Sequence, residues 1–185
     1  YRAIEKIEKA RAQGQDVTVD FYPYLGGSTA LTTMLPPVFV QGDMQRALDR
    51  LGTPEGVAQL RGACAVEYSD WDNYAVSLGW DRILIASATP ENQRFLGMSV
   101  QTAAEKYGFE DAVALAAHLM HSVNGQTAII NLSMDQRDVD AIARLPYSTL
   151  ISDAIYADTD RPHPRMYGAF PRFIEDFVCR RSVLP

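Results

Sequence analysis

Strand and helix alternate at both ends of this chain, and that pattern constrains its fold more than any other feature. Asp16-Val-Thr-Val-Asp-Phe-Tyr22 sets Val17, Val19 and Phe21 against Thr18, Asp20 and Tyr22, the two-residue period of a strand. Pro23 stops it, because proline has no N–H to give a ladder. Ahead of it, residues 2–13 place Ile4 and Ile7 on one face among charges, with Gly14 as a stop, so a helix is predicted there. Near the other end, 127–132 reads as a strand after the Asn124-Gly125 turn, and Ser133-Met-Asp-Gln136 as a capping box opening a helix that Pro146 ends. Residues 149–152 form another short strand, and a last helix is predicted from Pro171, burying Phe173, Ile174, Phe177 and Val178. This is an α/β chain of parallel βα units. Such sheets gather function at the C-terminal ends of their strands, where Tyr22 and Asp153 both stand.

Between these ends the chain reads as helices separated by breakers. Pro36-Pro37 interrupts, Asp43 caps Met44–Leu51, and Thr53-Pro54 opens a helix with proline at its first position. Arg82–Ala86 is a short apolar strand, Ser99 caps a helix closed by Gly108, and 111–122 is a strongly apolar helix. No internal repeat or low-complexity tract occurs.

At 185 residues the chain can bury about 70% of its unfolded surface, enough for a core of its own. Net charge is −6 with dispersed basic residues, which argues against nucleic-acid binding. No run approaches 18 consecutive apolar residues, so a membrane span is not expected. Cys64 and Cys179 have no nearby cysteine partner and read as reduced thiols of a cytoplasmic protein. The chain opens Tyr1-Arg-Ala-Ile without a Met, as a piece of something longer would.

Candidate chemistry is concentrated in "SDAIYADTDRPHPRMYGAFPRF", residues 152–173. An Asp after a strand can be a mere cap or turn residue. Here Asp153 precedes a proline-stiffened loop with Arg161, His163 and Arg165, which could hold an arginine fork ready for a carboxylate. Arg161 could equally pair with Asp158 or Asp160. His118 and His121 lie three apart on one helix, but the Glu and the four-residue spacing of a zinc-protease HExxH are absent, so they read as packing or surface residues. Gly26-Gly27-Ser28-Thr29 lacks the Gly-Lys-Ser/Thr of a phosphate-binding P-loop.

Five segments in order, "DVTVDFYPYLGGSTALTTMLPP", "GWDRILIAS", "MDQRDVDAIARLP", "LISDA" and "RPHPRMYGAFPRFIEDFV", resemble the N-acyl-D-amino-acid deacylases (D-aminoacylases) of the amidohydrolase superfamily. The resemblance implies a fragment of a metal-dependent (β/α)8 TIM-type barrel with an inserted, mostly helical subdomain. On it, residues 1–34 are a barrel βα segment, 35–95 the insertion and 96–185 the last barrel segments. It further implies that Asp153 lies in the metal site and acts as general base toward a zinc-bound water, with the other zinc ligands upstream of Tyr1. Arg165 would grip the substrate's α-carboxylate, with help from Tyr22 and Ser28; His163 receives no role. The family usually has Gly where this chain has Ala154, a cost if that position needs φ > 0.

The implied activity of the full-length protein is hydrolysis of the N-acyl amide bond of an N-acyl-D-amino acid, with zinc as cofactor. The 185-residue piece is expected to be inactive, to bind no zinc tightly and, if stable, to self-associate through unpaired strand edges. Cleavage of a cyclic amide, hydantoin or dipeptide is an alternative chemistry. A non-catalytic association domain that keeps the fold is an alternative of another kind.

Overall fold

The computed structural model describes residues 2–154 and 161–184. In chain order it contains α1 (Arg2–Ala12), β1 (Val19–Phe21), β2 (Gly27–Ala30), α2 (Pro37–Val40), α3 (Met44–Arg50), α4 (Pro54–Cys64), α5 (Tyr74–Ser77) and β3 (Ile83–Ile85). There follow α6 (Val100–Tyr107), α7 (Ala112–Ser122), β4 (Ala128–Asn131), α8 (Gln136–Ala143), β5 (Ser148–Leu150) and α9 (Arg165–Arg172), the last continuing as a π-helix over Phe173–Arg180. Two compact units divide the chain. The first holds the described residues of Tyr1–Gly26, Met134–Ala157 and His163–Pro185, the second those of Gly27–Ser133 and Asp158–Pro162.

In the first unit β1 and β5 pair in parallel, Asp20 opposite Thr149, so both strands point their C-terminal ends the same way. Tyr22 and Asp153 therefore leave the sheet on one side, as the parallel reading of the sequence predicts. Helix α8 is amphipathic and buries Val139 and Ala143, which pack with Phe21, Phe177 and Val183. Its cap is Asp135, not Ser133: the Asp135 carboxylate accepts the Arg137 N–H at 2.8 Å. Asp caps as well as Ser does, and the nearer one takes the place.

The last helix begins at Arg165, six residues before the predicted start at Pro171. Pro164 precedes it with φ −60, already suited to a helix start. Pro171 sits inside instead, and lacking an N–H it cannot make the usual bond to the turn before it. Directly beyond it the helix widens to π spacing, the kind of local adjustment that accommodates a disturbed ladder. Phe173 and Phe177 stack there at 5.3 Å between centroids, and Phe173 meets Phe21 edge-on at 5.9 Å.

The second unit is built on a three-stranded sheet in the order β2-β4-β3. Both pairings are antiparallel, with Ser28 opposite Ile130 and Leu84 also opposite Ile130. The parallel reading does not extend to β4, because a strand's own residues say little about the direction of its neighbours. Asp43, Thr53, Ser99 and Asp111 each cap the helix that follows, by accepting the backbone N–H of the residue three positions on. Gly56 lets the α4 backbone pass close to its neighbour: a Cβ there would sit 1.9 Å from the Arg50 carbonyl oxygen.

Candidate active site

Two short strands and one helix start bring the site together in the first unit. Tyr22 follows β1, Asp153 lies three residues beyond β5, and Arg165 opens α9. Arg165 is 4% exposed, and its Nη1 reaches Asp153 Oδ2 at 2.9 Å, an ion pair whose carboxylate side is 48% exposed. The guanidinium carbon also lies 4.7 Å from the centre of the Tyr22 ring, a cation–π contact. A buried guanidinium needs such partners, because removing its charge from water is costly. Asp20, Tyr22 and Asp153 line a cleft of about 310 Å3 whose other walls are apolar, among them Met134, Ile142 and Ile151.

Asp153 has φ +49, in the left-handed region. Asp is one of the few side chains that tolerate it. Ala154 is not among the described residues with positive φ, so the missing glycine costs nothing of the kind expected at that position.

Sequence reasoning passed over His163, which is 5% exposed. Its Nδ1 accepts the Arg165 backbone N–H at 3.0 Å, and its Nε2 lies 2.8 Å from the Gly26 carbonyl oxygen. Tyr24 and Tyr22 meet its ring edge-on at 5.2 and 6.2 Å. Burial, then the charge of Arg165, holds its pKa below the ordinary 6.5, against the Gly26 hydrogen bond and the Asp153 charge. Burial likewise raises the Tyr24 phenol above 10.0, against the charge of Arg172. The available signal was a histidine with proline on either side, which confines the backbone that carries it.

Other candidate residues fall elsewhere. Ser28 lies in β2 of the second unit and is partly buried. Arg161 is also in the second unit, its N–H donating to the Ala86 carbonyl at 3.1 Å; Asp158 and Asp160, its possible partners, lie outside the described residues. His121 Nδ1 lies 2.9 Å from the Leu48 carbonyl oxygen and His118 Nε2 is 3.3 Å from Asn92 Oδ1, so each has a packing partner in the second unit. Burial pushes the Cys64 thiol up to about 12, while Cys179 is exposed. No described helix is long and apolar enough to cross a membrane.

A zinc ion is tested by its ligand count. Catalytic zinc takes about three protein ligands and a water. Among the described residues no three His, Cys, Asp or Glu side chains converge, and the cleft offers the carboxylates of Asp20 and Asp153. These residues do not make a zinc site by themselves.

No family model matches the chain. A curated N-acyl-D-glutamate deacylase of Alcaligenes xylosoxydans xylosoxydans is 27% identical over 181 residues, covering 98% of this chain and 27% of its own. Among solved structures, the N-acyl-D-glutamate deacylase of Bordetella bronchiseptica, complexed with zinc and a phosphonate mimic of the tetrahedral intermediate, superposes with a TM-score of 0.63 at 26% identity. That match covers 99% of this chain and 28% of the other. A D-aminoacylase described as defining a novel subset of amidohydrolases shares the fold at a TM-score of 0.61 and 24% identity, over 100% of this chain and 28% of its own. The chain thus spans little more than a quarter of the length of these relatives. The curated relative and the first of these structures, both N-acyl-D-glutamate deacylases, point the same way as the resemblance read from the sequence, and the D-aminoacylase shares the fold.

Proposed function

We propose that the chain supplies the carboxylate-binding side and one catalytic carboxylate of a zinc-dependent N-acyl-D-amino-acid deacylase. The observation that carries this reading is the buried Arg165 guanidinium, set between Asp153 and the Tyr22 ring beside a small cleft. A planar guanidinium binds a carboxylate through paired, charge-assisted hydrogen bonds. Arg165 anchors the α-carboxylate of the substrate, Tyr22 holds the guanidinium face, and the apolar wall takes part of the remaining substrate. Asp153 accepts the proton of the attacking water and passes it to the leaving nitrogen, the work of a general base and then acid. Ser28 enters on the resemblance alone.

Zinc is assigned to the full-length protein, with Asp153 as this chain's contribution; there it would polarise the amide carbonyl and acidify water. The parallel β1 and β5 pair and its shared strand end support a place in a (β/α)8 barrel, with residues 35–95 as its insertion.

The test is zinc-supplemented hydrolysis of paired N-acetyl-D- and N-acetyl-L-amino acids, glutamate included, by the full-length protein and its Asp153→Asn variant. D-selective release of amine is expected, falling about 100-fold or more in the variant. Equal rates on both enantiomers, or an unimpaired variant, would overturn the assignment.

A further inference from the structure

An arginine that anchors a ligand must itself be held, and two of the groups around Arg165 do so in different ways. The Asp153 carboxylate meets its guanidinium, while His163 meets its backbone. A backbone N–H can only donate, so His163 Nδ1 must be the acceptor and carries no proton. The Gly26 carbonyl can only accept, so Nε2 must be the donor. The two contacts fix one neutral tautomer, and they tie the first turn of α9 to the segment after β1, 137 positions away from His163 in sequence. The depressed pKa of the buried ring agrees with that state. Tyr22, whose ring lies against the Arg165 guanidinium, and Tyr24, whose hydroxyl donates to the Pro164 carbonyl at 3.3 Å, complete the enclosure.

We propose that His163 is the positioning residue for the carboxylate anchor: in its Nε2–H tautomer it bridges Gly26 and the Arg165 backbone, and so fixes where the guanidinium stands. The inference rests on the reading of Arg165 as that anchor. It assigns His163 no contact with the reacting atoms. Loss of the imidazole would leave the Arg165 N–H and the Gly26 carbonyl without their partner in a buried place, and the start of α9 would shift to recover one.

The test uses the full-length protein with His163→Asn, His163→Gln and His163→Ala. The Asn oxygen stands near the place of Nδ1 and keeps the Arg165 contact; the Gln amide stands near the place of Nε2 and does not. Each is assayed on an N-acetyl-D-amino acid and on its carboxamide, which has no carboxylate to anchor. His163→Ala and His163→Gln are expected to raise KM for the acid by about tenfold and to leave KM for the carboxamide in place, any fall in kcat from the loosened Arg165–Asp153 pair being common to both substrates. His163→Asn, which keeps the Arg165 contact but not the Gly26 one, is expected to raise KM for the acid less than either. A KM rise shared by the carboxamide, or no rise with Ala or Gln, would overturn the proposal. Crystal structures of the Gln and Asn variants read the anchor directly: the Arg165–Asp153 pair should open with Gln and persist with Asn. Should the wild type cleave neither substrate, the deacylase reading falls and these structures alone decide the inference; an unmoved Arg165 in the Gln variant would end it.

Discussion

The second unit is held by apolar packing and the first by oriented polar contacts. Leu31, Phe95, Leu115, Met120 and Ile129 in the second are sealed from solvent in one continuous core. The first has a small apolar cluster around Phe21 and Phe177. Around it run charged contacts: Arg165 on Asp153, Arg181 on Asp140 and Asp176, and Arg172 on the Pro23 carbonyl and the Tyr24 ring. Apolar burial contributes about 25 cal/mol per Å2 without regard to direction. Ion pairs hold particular atoms in particular places but contribute less and weaken with salt. The difference separates a unit suited to stability from one suited to geometry, and the candidate chemistry lies in the second kind.

That contrast can be broken most forcefully at Phe95. Phe95→Ala should cost about 3–5 kcal/mol in the second unit, read in urea by tryptophan fluorescence, since Trp71 and Trp80 both belong to that unit. A loss under about 1 kcal/mol would mean that the core is not what holds it. Arg181→Ala removes the cation that Asp140 and Asp176 share and should cost the first unit about 1–3 kcal/mol. That loss should appear in the far-ultraviolet circular dichroism transition, leave the tryptophan transition in place, and shrink in high salt. Equal movement of both transitions would show that the units do not differ energetically.

The mildest perturbation is acid. The folded pKa of His163 lies below 6.5, so between the two values the unfolded chain binds the extra proton. Its contribution is complete above pH 6.5 and declines as pH falls toward the folded value. Denaturant titrations of the first unit should show that decline, and His163→Asn should remove it; a decline that persists in the variant would assign it to other groups.

What the sequence made legible was local. The caps at Asp43, Thr53 and Ser99 involve residues three apart, and each stands where the sequence puts it. Tyr22, Asp153 and Arg165 were found through motifs, and they meet in the first unit. What escaped depends on distant partners. The antiparallel direction of β4 is set by β2 and β3. The early start of α9 hides behind a proline that usually ends helices. The work of His163 is visible only once Gly26 stands beside it.

The left-handed backbone at Asp153 narrows what natural variation can place there. The turn admits Gly, Asn and Asp with least strain. The ion pair with Arg165 admits an anion. Aspartate is the residue on both lists, so at this position drift is closed by shape from one side and by charge from the other.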